Sequence, residues 1–488
     1  MKKVLLLSLI LIFIVSFAYA QEVTFYGYSE IGVHSEFLKD SNGNYSNTLG
    51  PVNLDYWNTY FKVKAEPSSF LESYFELHLY PNYSDLFGPG IVEVQKAHLT
   101  AKSSLLNLRV YYKEDATPFD DPLLLNKPGD LPGSSWIWGN GIEVSGKVFD
   151  TNFLAGINSS DQISYLRLKR AFQNLTLGFT AMGANLGVAN QGKSLFGVDV
   201  TGKLANVDVK AEGIYGKGSW GTGSEGGMVL YGDFSTQLTP VVKIYGTAKK
   251  VDGGYIHQFN WFKTDQTQLI PGEDGSYGTY FKLGSVITPL SNLSFEPIVE
   301  LINRENINQK TTNLKGIVTY VVNKNLTVKG TVANSTVDSN SSTNITLETT
   351  FTPLKDLSIY GKVYQPINGE KTGIYGNLYT TYNKLNFYLA AASGFYYNDN
   401  DDTIEYSPNS SYLFINAVYN LAKNLNLRTV YQLFNDNTTT HNTYYLALEL
   451  NNASLYFGNA PLNSDGVITE GIPTDFVKQI GAKISFDF

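Results

Sequence analysis

The sequence predicts an all-β protein: a single large antiparallel transmembrane β-barrel of about 26 strands, within a range of roughly 22 to 26. Three observations support this fold class. After residue 20 the chain has no apolar run of about 18 or more residues, which argues against membrane-spanning helices. Aromatic residues make up 14% of the chain and charged residues only 16%, which favours strands and turns. A hairpin pattern then repeats along the remaining length.

The first 20 residues, MKKVLLLSLILIFIVSFAYA, form a distinct segment. They combine two lysines, an apolar stretch, and Ala18 and Ala20 in the small-x-small arrangement that signal peptidase recognises. We predict that residues 1–20 are a cleaved signal peptide and that residues 21–488 form one barrel domain. An uncleaved membrane anchor is the alternative, although the apolar stretch is short for a span.

A short turn phrase recurs along the chain and marks the starts of strands. In each copy an Asn, Asp or Pro cluster precedes a leucine that opens an alternating segment, as expected where a tight turn feeds a strand. The opening leucines are Leu293, Leu326, Leu357, Leu385 and Leu425. Longer connections rich in Asn, Asp, Ser and Gly, such as 39–51 and 398–411, lie between these turns. Short turns at one end and long loops at the other are typical of transmembrane barrels.

Side chains alternate between apolar and polar along the strand segments. In residues 106–113, Leu106 and Leu108 share one face, while Arg109 and Tyr111 share the other. A half-buried soluble sheet alternates in the same way, but about 26 strands would have to divide between separate cores. No linker or change in composition divides the chain, so we predict one closed barrel in which 479–488 pairs with the first strand.

The two ends of the mature chain carry the resemblance to a known family. Residues 23–27, VTFYG, follow the predicted signal peptide, and the last strand ends in Phe488. These ends resemble those of the outer-membrane porins of double-membraned bacteria. The resemblance implies an outer-membrane location, contact with outer-membrane lipid, and recognition of Phe488 by the barrel-assembly machinery. Porins of this family usually have about 16 to 18 strands, so the strand number and a homo-oligomeric state remain open.

A barrel this wide cannot fill its interior with wall side chains, so we expect an aqueous pore for small polar solutes or ions. The predicted pore-lining residues are basic: Lys62, Lys64, Arg109, Lys113, Arg167, Lys169, Lys243, Lys329, Lys362, Arg428 and Lys483. Fewer acids share that face, which indicates a lumen that favours anions. Alternatively, the wall carries whichever charges solvate well. Tyrosines such as Tyr111 and Tyr360 on the same face could guide sugars or be there by accident.

The connection from Ala116 to Trp138 is the candidate constriction loop. It follows the fifth predicted strand, and its apolar stretches, 123–125 and 136–138, suit a packed position inside the barrel or against a neighbouring subunit. The residues proposed to narrow the channel are Asp120, Asp121, Leu124, Asp130 and Trp136.

Signals for other functions are weak. The five histidines show no metal-ligand spacing, no residue trio forms a nucleophilic motif, and the chain has no cysteine. We therefore predict no enzyme activity, no cofactor and no metal, with a barrel-embedded lipase as the enzymatic alternative. The formal net charge of −8 and the lack of a basic run after residue 20 argue against nucleic-acid binding. A structural or polymer-export barrel is the main alternative to a diffusion channel.

Overall fold

The computed structural model describes most of the chain after the predicted signal peptide. The described residues are 22–39, 45–80, 91–125, 137–159, 162–185, 192–220, 223–255, 270–271, 276–398, 403–436, 438–458, 470–471 and 478–487. The predicted signal peptide, residues 1–20, and the terminal Phe488 lie outside them.

The described residues form 26 strands in one sheet. The first thirteen are β1 (Glu22–Lys39), β2 (Tyr45–Ser68), β3 (Leu71–Tyr80), β4 (Ile91–Lys102), β5 (Leu106–Asp115), β6 (Trp138–Val148), β7 (Thr151–Asn158), β8 (Ile163–Phe172), β9 (Leu175–Asn185), β10 (Gly192–Leu204), β11 (Val207–Trp220), β12 (Gly223–Thr239) and β13 (Val242–Val251). The others are β14 (Gly278–Leu290), β15 (Leu293–Arg304), β16 (Gln309–Asn323), β17 (Leu326–Val337), β18 (Asn340–Leu354), β19 (Leu357–Pro366), β20 (Gly373–Tyr382), β21 (Leu385–Asn398), β22 (Thr403–Ala422), β23 (Leu425–Asn435), β24 (Thr440–Leu450), β25 (Ala453–Gly458) and β26 (Gln479–Asp487).

The sheet closes on itself. Each strand pairs antiparallel with its neighbours in sequence, and β26 pairs with β1, with Tyr28 opposite Asp487 and Glu36 opposite Gln479. Closure gives every strand of the described sheet a partner on both sides, so the ladder hydrogen bonds of the wall are made within the protein. The predicted fold, a closed all-β barrel of about 26 strands, is confirmed.

Tight turns set the starts of alternate strands. The five leucines of the turn phrase are the first residues of β15, β17, β19, β21 and β23. Asn383 and Asn424, in the turns before β21 and β23, adopt left-handed φ angles of 53° and 69°. Asparagine tolerates this conformation better than most residues, which explains its place in the phrase.

The two faces of the wall differ as the alternation predicts. Leu108 on β5 faces outward and is 44% exposed, whereas Tyr111 on the same strand faces inward and is buried. Exposed apolar side chains such as Val198 and Leu347 recur at outward positions, next in sequence to the inward Asp199 and Glu348. The described residues include one short 3-10 helix, Glu305–Ile307, and no helix that is long and apolar enough to cross a membrane.

Two apolar clusters lie inside the barrel. The first joins inward residues of β5 to β15 with Phe119, Leu123 and Leu125 of the connection after β5. The second lies along β20 to β25 and is mostly aromatic. Among the described residues, neither cluster includes a side chain from β16, β17 or β18. Apolar side chains therefore cover two parts of the inner wall, and the strands β16 to β18 between those parts are polar on their inner face.

Candidate functional site

Ion pairs line the inner face of the barrel. Nine of the eleven basic residues predicted to line the pore have a carboxylate within 4.0 Å: Lys62, Lys64, Arg109, Lys113, Arg167, Lys169, Lys329, Arg428 and Lys483. Among the described residues, no carboxylate lies within 4.0 Å of Lys243 or Lys362. The Lys362 ammonium instead lies 5.1 Å from the centre of the Phe395 ring.

Strand register creates several of these pairs. Lys329 on β17 lies directly opposite Glu348 on β18, and their charged atoms are 2.8 Å apart. Glu348 also lies opposite Lys362 on β19, so it is flanked by two cations. Partly exposed ion pairs of this kind contribute little stability, but they neutralise charge along the wall. The lumen is thus lined by paired charges, which reduces the excess of positive charge on which an anion preference would depend.

Residues 116–125, at the start of the connection after β5, fold into the barrel. Phe119, Leu123 and Leu125 are almost fully buried against inward side chains of the wall, among them Met182 and Ile214. We call residues 116–125 the inward loop. Fully burying a large apolar side chain stabilises its position by about 1.5–3 kcal/mol, so these three side chains hold the inward loop firmly.

The five predicted constriction residues have different positions. Asp120 and Asp121 contact the wall, and Leu124 forms a turn, with a left-handed φ of 52° and an N–H that donates to the Asp121 carbonyl at 3.2 Å. Asp130 and Trp136 lie outside the described residues. The structure therefore brings Asp120 and Asp121 together with the predicted pore-lining Arg167 and Lys169.

Glu143 on β6 anchors the start of the inward loop. Its carboxylate accepts hydrogen bonds from the backbone N–H of Thr117 at 2.7 Å and from the Thr117 hydroxyl at 2.8 Å. Arg109 and Tyr165 also donate to it, at 3.0 Å and 2.6 Å. A side chain at position 156 would collide with the Tyr165 ring, so Gly156 lets that ring lie against the wall.

Asp120 forms the middle anchor. Its carboxylate accepts from Arg167 on β8 at 3.3 Å and also contacts Lys169. Partial burial acts in the opposite direction, but the hydrogen bond and charge of Lys169 hold the pKa of Asp120 below its usual range. Arg167 also forms a buried ion pair with Asp199 on β10, and only glycine at position 178 leaves space for that pair.

Asp121 and Glu212 form the third anchor. Asp121 is 2% exposed and Glu212, on β11, is 3% exposed. The Leu123 N–H donates to Glu212 Oε2 at 2.8 Å, and the Leu125 N–H donates to Asp121 Oδ2 at 3.0 Å. Sequence reasoning missed the roles of Glu143 and Glu212, because both depend on a contact between the inward loop and distant strands.

A second segment contacts the wall on the other side of the interior. Glu470, in the connection between β25 and β26, accepts hydrogen bonds from the hydroxyls of Tyr375, Tyr388 and Tyr412, at 3.1 Å and 2.9 Å for the first and last. The N–H of the next residue, Gly471, donates to Gln432 at 2.7 Å. Sequence reasoning missed this contact, since an isolated glutamate in a long connection carries no periodic signal.

Within the part of the chain that the structure describes, no group of three or more His, Asp or Glu side chains could hold a metal ion. The charged groups of the interior hold the inward loop and neutralise one another, as the three anchors show. The arrangement therefore fixes the inward loop against the wall.

No family model and no curated protein sequence matches the chain. Solved structures with a similar fold include the P pilus usher (PapC) translocation pore, at 9% identity and a TM-score of 0.36, with 95% of this chain and 99% of that chain covered. The siderophore receptor PirA from Acinetobacter baumannii is 9% identical, with a TM-score of 0.39, and 96% of this chain and 81% of the receptor are covered. A BenF-like porin from Pseudomonas fluorescens Pf-5 is 10% identical, with a TM-score of 0.33, and 68% of this chain and 98% of the porin are covered. These similarities concern the barrel fold alone.

Proposed function

We propose that this protein is an outer-membrane channel through which small polar solutes or ions diffuse passively. The observation that carries the proposal is the polar strip of the inner wall, β16 to β18. Asn313, Lys329, Ser335 and Thr346 face inward there, and among the described residues neither apolar cluster reaches these strands. A polar surface inside a barrel of this size supports a water-filled path.

The size of the ring supports the same proposal. Strands lie about 4.8 Å apart and tilt by about 40°, so a circular wall of this many strands would measure about 50 Å across. The inward loop and Glu470 each contact one side of that interior. Passage beside them requires no chemical step, and the paired charges favour weak selection by charge rather than strong anion preference.

The outward face supports a location in a lipid bilayer. Exposed apolar side chains such as Leu108, Val198 and Leu347 would contact hydrocarbon, which makes lipid the first partner of the protein. We further propose that residues 1–20 direct export and are removed, and that the barrel-assembly machinery recognises the strand ending in Phe488. These partners follow from the resemblance at the two ends of the chain.

Conductance in planar bilayers tests the proposal. Purified, folded protein should give steady current that rises linearly with voltage, since an aqueous pore has no step that saturates. Reversal potentials in a salt gradient should be small, because most inward cations are paired. A folded barrel that passes no current would refute the channel and favour a structural or export role.

A further inference from the structure

We propose that one proton shared between Asp121 and Glu212 locks the inward loop to the barrel wall, so that acid favours the docked loop and alkali weakens docking. The effect of this lock on current rests on the proposed channel function. The lock itself concerns only the position of the inward loop, which can be measured without current.

The contact between Asp121 and Glu212 favours a shared proton. The two side chains lie within hydrogen-bond reach of each other, and both are almost completely buried. Glu212 Oε2 accepts the Leu123 N–H, but Glu212 Oε1 is buried and has no hydrogen-bond partner among the described residues. Two ionised carboxylates would present only acceptors to each other. A proton on one carboxyl group would make it a donor to the other.

The surrounding charges also favour a shared proton. Four carboxyl groups meet around the contact, from Asp120 and Asp121 on the inward loop, Asp199 on β10 and Glu212 on β11. Two cations face them, Arg167 and Lys169 on β8. Tyr255, after β13, lies near both members of the acidic pair, and Tyr231 on β12 lies near Glu212. Four ionised carboxylates would leave two uncompensated negative charges where Asp121, Asp199 and Glu212 are buried, and one shared proton removes half of that excess.

The environment of Asp121 is consistent with the proposal. Burial raises the pKa of Asp121, even though the Leu125 N–H and the charge of Arg167 act in the opposite direction. A carboxyl group that is exposed when the inward loop leaves the wall would return to an ordinary pKa near 4, so docking takes up a proton above that pH.

The direction of the pH effect follows from this proton uptake. Docking is strongest at or below the ordinary carboxyl pKa, where the proton is present in both states. As the pH rises toward the raised pKa of Asp121, each unit weakens docking by up to about tenfold. Above that raised value the effect levels off. A rise from about pH 5 to about pH 8 should therefore shift the inward loop away from the wall.

Spin labels can follow this movement directly, because the chain has no native cysteine. One label is placed at Pro118→Cys, on an exposed position of the inward loop, and the other at Ser335→Cys, on β17. The distance between them is measured in detergent-solubilised full-length barrel from about pH 5 to about pH 8, alongside conductance in planar bilayers. We expect a broader distance distribution and a higher conductance at the alkaline end.

Two variants and one control make the test specific. Glu212→Gln and Asp121→Asn each supply a permanent amide donor in place of the shared proton, so either variant should stay docked across the pH range. The control Glu370→Gln removes an exposed carboxylate in the connection between β19 and β20, and it should keep the pH response of the unmodified chain.

Each outcome separates the lock from the channel. Label distances that do not change with pH in the parent chain would overturn the lock. So would distances that change with pH in the amide variants as much as in the parent chain. Distances that follow pH in a barrel that passes no current would retain the lock and refute the channel. A barrel that passes current while its label distances do not change with pH would retain the channel and refute the lock.

Discussion

Shortening Leu123 to alanine should release the inward loop. The Leu123 side chain is 0% exposed and packs inside the first apolar cluster, so Leu123→Ala removes buried methyl groups and leaves a cavity. Substitutions of this kind cost about 2–5 kcal/mol. Leu123 lies outside the strands of the wall, so we expect this energy to fall on docking rather than on the barrel. A loss of about 3 kcal/mol raises the population of undocked loops by about two orders of magnitude.

Single-channel recording measures that population. Leu123→Ala should show more frequent excursions to higher conductance, since the undocked loop no longer lies against β11. Leu108→Ala is the matched control, because Leu108 lies on the outward face of β5 and is 44% exposed. The control should show the same single-channel conductance, and the same frequency of excursions, as the parent chain. If both variants fold and give identical traces, docking of the inward loop does not limit the conducting path, and this reasoning fails.

Three further perturbations have defined outcomes. Arg167→Met leaves the buried Asp199 carboxylate without its cation, which should destabilise the barrel by about 3–5 kcal/mol in denaturant titrations followed by gel mobility. Lys329→Glu replaces a paired cation by an anion, so the reversal potential in a salt gradient should shift toward cation preference. Asp436 accepts the Thr439 N–H at 2.8 Å, and hydrogen bonds from the threonines after it lower its pKa. The turn after β23 should therefore be stable above the ordinary aspartate pKa and loosen as pH falls through the lowered value, with faster hydrogen exchange at Thr439 relative to the intrinsic rate.

Each of these three predictions has a result that would contradict it. A denaturation midpoint unchanged in Arg167→Met would show that the ion pair with Asp199 does not stabilise the barrel. An unchanged reversal potential in Lys329→Glu would place the conducting path away from β17. Exchange at Thr439 that keeps the same protection at every pH would mean that the Asp436 carboxylate does not hold the turn.

Local patterns in the sequence were enough to predict the fold. Alternation with a period of two residues assigns each side chain to a face, and turn residues such as Asn383 and Asn424 mark where strands begin. Both signals act over a few residues, so they can be read without knowing which strands pair. The closure of β26 on β1 then follows from the need to leave no edge.

The pairing of inward charges could not be predicted from those patterns. Alternation placed Lys329 and Glu348 inside, but only the register between β17 and β18 sets them opposite each other. Contacts of the inward loop are less predictable still, because Leu123 reaches Glu212 across 89 residues of sequence. The apolar run at 123–125 indicated burial without indicating its partner, and Glu470 gave no signal at all.

The seam between β1 and β26 constrains how the barrel assembles. Tyr28 and Asp487 are neighbours in space and almost a full chain apart in sequence, so their meeting carries the largest loop-closure entropy of any strand pair in the ring. β25, next to that seam, has only six residues. The wall therefore cannot close before β26 has been made, and a chain that lacked β26 would leave a sheet with two unpaired edges, which are prone to pair with other chains.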